Sequence, residues 1–362
     1  MRKILEKFLR VDAFLLILLP AVLLISFSVL SCDDEDDSGP AVGIVYDTVG
    51  KQDRSFNESA YEGIKRAEAE LGISVSEGTT DGTDREELVR SLAENNDLVI
   101  AVGFSFEGAI KKVAAEYPRT NFAGVDIRQG DSTPANFASL LFNEAEGSFL
   151  VGAAAAINTK TDKIGFIGGV CATPDRIIER FEAGFIAGAR KVNPDIMIET
   201  EYLSHWDDST GFDNAGKAEQ VAMRMFGDGA DVIFHAAGAS GPGLFRAAEK
   251  GSKAEGTHLW AIGVDSDQYR TASESEREHI LTSMLKRVDT AVYNIIEAQK
   301  NGGFQGGAVK NDLSNGGVDY STSGGFVDKI RGRLEGYKTD IINGDIKVPT
   351  APGKGCAEPQ TY

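Results

Sequence analysis

From residue 41 onward, hydrophobic residues follow two alternating patterns. Short apolar runs rich in β-branched residues predict buried strands, and longer segments with apolar residues every three to four positions predict amphipathic helices. The predicted strands are residues 41–46, 73–77, 97–102, 121–126, 163–167, 197–202, 231–234, 259–264 and 280–283. The predicted helices are residues 57–71, 85–95, 107–117, 144–158, 174–192, 214–226, 242–250 and 287–300. About nine such units indicate an α/β fold with parallel sheets, divided near residue 140.

The alternation stops at residues 302–325, where four Gly-Gly pairs surround short alternating stretches. Paired glycines between such stretches are typical of tight turns, so this segment is predicted to be a β-hairpin. A last helix is predicted over residues 326–342, followed by a coil tail at 346–362.

The amino terminus has the pattern of an export signal. Four basic residues lie among the first twelve, residues 13–30 carry no charge, and Val29-Leu30-Ser31 precedes Cys32. This resembles the lipobox of bacterial lipoproteins, in which the cysteine is acylated, for example with palmitate, and becomes the first mature residue. Residues 1–31 are therefore predicted to be a signal peptide. Residues 32–40, in which positions 33–37 are all acidic, are predicted to be a tether. The alternative is an uncleaved signal anchor with an incidental cysteine.

Composition narrows the function classes. The chain of 362 residues has a formal charge of −18. Residues 1–31 hold four basic and two acidic residues, so 33 basic and 53 acidic residues remain, for a charge of −20. Nucleic-acid binding is disfavoured because it needs a basic face. The two remaining cysteines, Cys171 and Cys356, can pair in an oxidising compartment, although the sequence does not place them within bonding distance.

The motifs of common enzyme classes are missing or incomplete. The first strand is not followed by a glycine-rich phosphate turn, and the Gly238–Gly243 stretch has the wrong spacing with a proline at its helix start. The acidic cluster of nucleoside hydrolases is only half matched in residues 47–54. The four histidines lack ligand spacing, and no Gly-x-Ser-x-Gly elbow occurs. The chain is predicted not to be an enzyme and to hold no cofactor or metal.

Polar residues at strand ends mark a candidate binding site. Asp47, Asp126 and Asp265 each follow an apolar run, and ligands of open α/β sheets bind at the carboxyl ends of strands. Phe56 and Trp206 are aromatic residues in polar stretches. Each has an ordinary alternative interpretation, as a turn residue for the aspartates, a hydrophobic staple for Phe56 and edge packing for Trp206.

Several collinear segments resemble one family. They begin with DRSFNESAYEG at residues 53–63, which is similar to the DxSFNxxxxxG motif of the basic membrane protein family of nucleoside-binding lipoproteins (PnrA/TmpC-like). Further similar segments are FAGVD (122–126), GSFLVGAAA (147–155), IGFIGG (164–169), FEAGF (181–185), GADVIF (229–234), AGASGPG (237–243), IGVDSDQ (262–268) and LTSMLKR (281–287).

The resemblance implies a fold and its division into lobes. The fold is the type I periplasmic-binding-protein fold, in which two Rossmann-like lobes with parallel sheets are joined by a three-strand hinge and hold the ligand in the cleft between them. On this basis residues 41–139 and 266–305 are assigned to the N-terminal lobe, and residues 140–265 and 306–345 to the C-terminal lobe.

The resemblance also implies site residues. Phe56 and Trp206 would stack on the two faces of a purine, although the family generally has Phe where this chain has Trp206. Asn57 and Asp126 would bind the base edge, and Asp47 would line the pocket. The ribose would be held by Asp265 and Lys286, with the Gly238 backbone closing near the sugar.

The expected function is therefore substrate binding for an ABC importer. A lipoprotein anchored to a bacterial membrane, facing the periplasm or exterior, would bind adenosine, guanosine or inosine and dock a permease. Phosphorylated ligands are disfavoured because Lys286 is the lone basic residue among the expected site residues, against three aspartates. The alternatives are a receptor of the same fold for a sugar or furanose signal, and a surface adhesin with a vestigial cleft.

Overall fold

The computed structural model describes residues 39–173, 175–205 and 207–352. The predicted signal peptide, the lipidation site Cys32, residues 32–38 of the tether, Trp206 and Cys356 lie outside the described residues. Within the described part, no helix has the length and apolar character needed to cross a membrane.

The described residues form two six-stranded sheets. In chain order the strands are β1 (Ala41–Tyr46), β2 (Ser74–Thr79), β3 (Leu98–Val102), β4 (Asn121–Val125), β5 (Phe137–Phe142), β6 (Lys163–Cys171), β7 (Met197–His205), β8 (Val232–Ala236), β9 (Trp260–Asp265), β10 (Ile280–Lys286), β11 (Gly307–Asn311) and β12 (Val318–Tyr320). The first sheet has the order β11-β5-β4-β3-β1-β2 and the second β12-β10-β9-β8-β6-β7. All strand pairs are parallel except β10 with β12, which confirms the predicted α/β fold.

Helices cover both faces of each sheet, as buried parallel sheets require. They are α1 (Phe56–Leu71), α2 (Arg85–Ala93), α3 (Glu107–Glu116), α4 (Glu144–Asn158), α5 (Ile177–Val192), α6 (Ala215–Gly227), α7 (Pro242–Glu255), α8 (Gln268–Thr271), α9 (Glu274–Arg277), α10 (Val288–Lys300) and α11 (Arg331–Ile342). We call the first sheet with its helices the first lobe and the second sheet with its helices the second lobe. In the first lobe, α1 packs against α10 while α2 packs against α3. In the second lobe, α4 packs against α5 while α6 packs against α7.

The chain passes between the two lobes three times. It leaves the first sheet after β5, returns after β10, and crosses again between β11 and β12. These points differ from the predicted boundaries, which assigned residues 266–305 to the N-terminal lobe and residues 306–345 to the C-terminal lobe. In the structure β10 completes the second sheet and β11 the first. Hydrophobic pattern alone does not show which sheet a buried strand joins.

Two local predictions also differ from the structure. Residues 302–325 do not form a β-hairpin, because β11 and β12 belong to different sheets. The segment between them is a crossover that contains a short turn at Leu313–Asn315, where the Asp312 side chain accepts a hydrogen bond from the Ser314 amide. Strand β5 was not predicted because its apolar run leads directly into α4, so no turn signal separates the two elements.

Candidate ligand-binding site

A cavity lies where the carboxyl ends of strands from both sheets meet. It contains about 780 Å³ of empty space, part of it open to solvent. Seven of the eight site residues predicted from sequence line it: Asp47, Phe56, Asn57, Asp126, Gly238, Asp265 and Lys286. The eighth, Trp206, lies outside the described residues. The fold thus brings side chains from distant parts of the sequence into one cleft.

The start of α1 holds Phe56 and Asn57 at the cavity. The buried Asp53 carboxylate accepts hydrogen bonds from the amides of Ser55, Asn57 and Glu58 at 2.9, 2.8 and 3.0 Å. These are amides that the first turn of a helix leaves without partners, and a carboxylate there also favours the helix dipole. Asn57 is 4% exposed, and its Oδ1 makes no hydrogen bond within the described residues. It is therefore an acceptor available to a ligand.

Lys286 is the centre of a buried charge cluster. Its Nζ donates to Asp126 Oδ2 at 2.6 Å and to Glu144 Oε1 at 3.1 Å. Asp126 follows β4 of the first lobe, whereas Lys286 and Glu144 belong to the second lobe, so one of these ion pairs crosses the cleft. Burial opposes the charge on Lys286, but Asp126, Glu144 and Asp265 outweigh this effect and raise its pKa.

Asp265 is the second carboxylate at a strand end. Its Oδ2 accepts a hydrogen bond from the Ser55 hydroxyl at 2.6 Å, a contact between the two lobes. Burial raises the pKa of Asp265 to about 6, against the opposing effect of Lys286. Burial also raises the pKa of Glu144, again against Lys286. Three carboxylates that share one ammonium give the cleft a surplus of acceptors.

Asp47 is held by its own partners. Its two oxygens accept hydrogen bonds from the Arg85 guanidinium at 3.2 Å and from the Ser105 hydroxyl at 2.7 Å. Arg85 is thus engaged with Asp47, and it is not among the described residues that line the cavity. Gly103, at the end of β3, has φ 112° and lies close to both Asp47 and Phe56. A side chain at this position would be strained.

The apolar walls include residues that were not predicted. Phe104 lines the cavity from the first lobe, and Ile177, Ile178, Phe181 and Phe212 line it from the second. Phe212 ends a short 3₁₀ turn, Ser209–Phe212, and a Cβ at Gly169 would lie only 2.5 Å from its ring. Phe181 and the acidic residue Asp53, which also lines the cavity, lie within segments that resemble the family. Their positions in those segments are a sequence signal by which they could have been predicted as site residues. No comparable local signal singles out Phe212 or Glu144.

The site combines aromatic walls with fixed hydrogen-bonding groups. Each lobe contributes one of these aromatic surfaces to the cavity, Phe56 from the first lobe and Phe212 from the second. Carboxylates and an ammonium can bind the hydroxyls of an uncharged polar ligand. Within the described residues, no group of three or more His, Cys, Asp or Glu side chains has the arrangement of a metal site.

Comparison with known proteins agrees with this architecture. Residues 41–351 match the family described as "ABC transporter substrate-binding protein PnrA-like". The chain is 35% identical to the ABC transporter nucleoside-binding protein BmpA of Lactococcus lactis, covering 91% of this chain and 97% of the relative. It is 36% identical to a CD4+ T-cell-stimulating antigen of Listeria innocua, covering 89% and 91% of the two chains.

Two further comparisons extend the relationship. The chain is 33% identical to basic membrane protein A of Borreliella burgdorferi, over 91% of this chain and 94% of the relative. A solved ABC transporter solute-binding protein from Aeropyrum pernix superposes with a TM-score of 0.73 at 29% identity, covering 87% of this chain and 94% of the other. The predicted family is thereby confirmed, and its description is that of an ABC transporter substrate-binding protein. This chain belongs to the family of PnrA-like ABC transporter substrate-binding proteins.

Proposed function

We propose that this protein binds purine nucleosides in the cleft between its lobes and delivers them to an ABC permease for uptake. The observation that carries the proposal is the cavity itself, in which Phe56 and Phe212 provide aromatic surfaces next to the buried cluster of Asp126, Asp265 and Lys286. Stacking on an aromatic ring is worth about 1 to 3 kcal/mol per base. The printed name of the Lactococcus lactis relative, which describes it as nucleoside-binding, supports the same ligand class.

The individual roles follow the chemistry of each group. The unpartnered Oδ1 of Asn57 accepts from the base edge, and Asp126 supplies a further acceptor there. Asp265 and Lys286 hold the ribose hydroxyls, and Asp47 and the Gly238 backbone complete the pocket. The second stacking residue is either Trp206, which the family resemblance implies, or Phe212. We favour Phe212 because it lines the described cavity.

The charges of the cleft favour nucleosides over nucleotides. Lys286 is the only cationic residue among the described residues that line the cavity, and it already has two carboxylate partners. A phosphate would meet Asp47, Asp126 and Asp265 without a free cation to offset their charge, and buried charges of like sign repel strongly. Inosine and adenosine carry no charge and avoid this cost.

Isothermal titration calorimetry tests the ligand class. Adenosine, guanosine and inosine are expected to bind with dissociation constants in the micromolar range or below, and AMP at least about 100-fold more weakly. Ribose alone should bind weakly, because it lacks the base that stacks. Equal affinity for AMP and adenosine would contradict the proposed pocket chemistry. Tight binding of free ribose would favour a sugar receptor instead.

We further propose that the protein is anchored to the bacterial membrane through lipid on Cys32. The support is the uncharged segment at residues 13–30 followed by Ser31-Cys32. Mass spectrometry of the amino-terminal peptide should show a mature chain that begins at a diacylated Cys32. A Cys32→Ser variant should lack the lipid and leave the membrane fraction, and an unprocessed Met1 terminus would contradict the proposal.

A further inference from the structure

A set of hydrogen bonds outside the cavity joins the two lobes at one backbone carbonyl. Arg54 lies in the loop before α1 and has a left-handed backbone with φ 55°. Its carbonyl oxygen accepts hydrogen bonds from the Gln268 side-chain amide at 3.0 Å and the Ser266 hydroxyl at 3.1 Å. Both donors follow β9 of the second lobe, and neither residue lines the ligand cavity.

The orientation of the Gln268 amide is fixed by the second lobe. Its Oε1 accepts the Val264 amide at 2.8 Å and lies 2.9 Å from His235 Nε2. Burial lowers the pKa of His235 to about 4, so the ring is neutral near pH 7. Because Gln268 Oε1 can only accept, the Nε2 that faces it carries the hydrogen. Because Oε1 is occupied by two donors, the NH₂ group of Gln268 must point to the Arg54 carbonyl. Gln268 is 1% exposed, so water does not readily replace these bonds.

Opening of the cleft would have to break these bonds. Solute-binding proteins of this kind close around ligands by hinged movement of their lobes. When the lobes separate, the Arg54 carbonyl loses two donors at once. It is followed directly by Ser55 and by the cavity residues Phe56 and Asn57, so the position of this carbonyl is tied to the position of the binding groups.

We propose that Gln268 is a positioning residue for ligand binding, which holds the lobes closed by donating to the Arg54 carbonyl while His235 and Val264 fix its amide. Gln268 does not contact the ligand; it sets the balance between open and closed protein. The affinity part of this inference rests on the proposed nucleoside function, whereas the conformational part does not.

The sharpest variant is Gln268→Glu in the full-length protein. In its ionised form, a glutamate keeps one oxygen for Val264 and His235 but places a second oxygen, rather than a donor, against the Arg54 carbonyl. The dissociation constant for inosine should rise about tenfold, mainly through faster dissociation. Ser266→Ala, which removes the second donor without adding a buried charge, should raise it about threefold. This milder variant decides the question if Gln268→Glu does not fold.

A matched control removes a glutamine hydrogen bond within one lobe. Gln299 on α10 accepts from the Asn121 amide at 2.7 Å, and both residues belong to the first lobe. Gln299→Leu should leave the inosine affinity within twofold of wild type. Native ion-mobility mass spectrometry of the ligand-free proteins supplies an independent readout. Gln268→Glu and Ser266→Ala should show a larger share of an extended conformer than wild type or Gln299→Leu.

The possible outcomes are distinct. If wild type binds no nucleoside, the proposed function fails, and the ion-mobility distributions of the ligand-free proteins still test the role of Gln268. Wild-type conformer distributions in both lobe-contact variants would overturn the inference. So would wild-type inosine affinity in both variants when wild type itself binds inosine.

Discussion

At the residue scale, two aspartates at strand ends adopt an unusual backbone. Asp126 and Asp265 have φ values of 61° and 63°, in the left-handed region that few non-glycine residues occupy, although aspartate tolerates it better than most. Asp126 directly follows β4 of the first sheet, Asp265 is the last residue of β9 in the second, and both line the cavity. Such strain persists where surrounding contacts determine the conformation, and it is frequent at functional sites. Here those contacts are the ion pair to Lys286 and the hydrogen bond from Ser55.

The raised pKa of Asp265 predicts a pH-dependent stability. With a pKa of about 6 in the folded protein, against 3.8 for an ordinary aspartate, the folded state between these two pH values binds a proton that the unfolded chain has released. The unfolding free energy should therefore fall by about 3 kcal/mol through this group as the pH rises from about 4 to about 6. Asp265→Asn should remove this part of the decrease, as measured by urea unfolding at several pH values.

The exposed Asp328 provides the control. Asp328→Asn should leave the pH dependence of the unfolding free energy as in wild type. Identical pH profiles for wild type and Asp265→Asn would contradict the assignment of a raised pKa to this carboxyl.

The stacking residues give a second prediction at this scale. Phe56→Ala and Phe212→Ala should each raise the dissociation constant for adenosine by about 10- to 100-fold, because each removes one stacking surface. Phe326→Ala, which removes an aromatic packed on Trp260 at a ring distance of 4.9 Å outside the cavity, should leave the adenosine affinity near wild type. If Trp206→Ala weakens binding and Phe212→Ala does not, the sequence-based choice of Trp206 is correct.

These residues show what local sequence reveals about a site. An aspartate that ends an apolar run is visible in the sequence, so Asp47, Asp126 and Asp265 could be predicted to lie at the strand ends. Phe212 could not be predicted, because it reaches the cavity through a 3₁₀ turn and through space left by Gly169, 43 positions earlier in the numbering. Glu144 is likewise distant in sequence from its partner Lys286.

At the element scale, α4 and α5 pack through glycines. A Cβ on Gly152 of α4 would lie 2.1 Å from the carbonyl oxygen of Phe185, and one on Gly188 of α5 would lie 1.9 Å from that of Phe149. Each obstacle is backbone, which cannot move aside as a side chain can. The close approach of these helices therefore depends on glycine. The first turns of α5 also carry Ile177, Ile178 and Phe181 of the cavity.

This packing makes Gly188→Ala a test of how α5 supports the site. The variant should lower the unfolding free energy by about 1 to 3 kcal/mol, because the helices must separate, and the displaced α5 should weaken nucleoside binding as well. The matched control is Gly336→Ala on α11, where a Cβ would meet no atom within 4 Å. This change should raise stability by about 0.5 to 1 kcal/mol and leave affinity unchanged. Urea unfolding and calorimetry measure both quantities, and equal effects of the two variants would contradict the packing argument.

The predicted elements succeeded where a periodic pattern was bounded by turn residues. Helix α4 begins and ends at the predicted residues, and β1 does so as well. The prediction failed at β11 and β12, where alternating residues between glycine pairs suggested a hairpin. Alternation describes a strand with one covered face and does not identify its partner. The partners here are β5 and β10, which are supplied by the fold as a whole.

At the scale of the whole molecule, the lobes are connected by three crossovers and by contacts across the cleft. The Lys286–Asp126 ion pair is one such contact, and the Arg128–Asp175 pair, at 3.1 Å, is another. Arg128 follows β4 of the first lobe, and Asp175 lies between β6 and α5 of the second. Such contacts bias the lobes toward closure, and a ligand held by both lobes adds to that bias.

A disulfide provides a further whole-molecule constraint. Cys171, at the end of β6, is buried and disulfide-bonded, and the other two cysteines, Cys32 and Cys356, lie outside the described residues. We predict that Cys356 is the partner, because the sulfur of Cys32 would carry the lipid. Cys171→Ala and Cys356→Ala should each lower the unfolding free energy by about 2 to 4 kcal/mol, with the same loss in the double variant. Cys32→Ala should abolish lipidation and leave the unfolding free energy unchanged.

The decisive feature of this prediction is that both single variants and the double variant lose the same amount of unfolding free energy. Removing either member of one disulfide opens the same loop, so the second substitution costs little further stability, whereas two independent cysteines would give additive losses. Urea unfolding under oxidising conditions measures the losses, and unfolding of wild type with reductant should reproduce them. A loss with Cys32→Ala that matches Cys171→Ala would instead identify Cys32 as the partner, and Cys32 could then not carry the thioether-linked lipid.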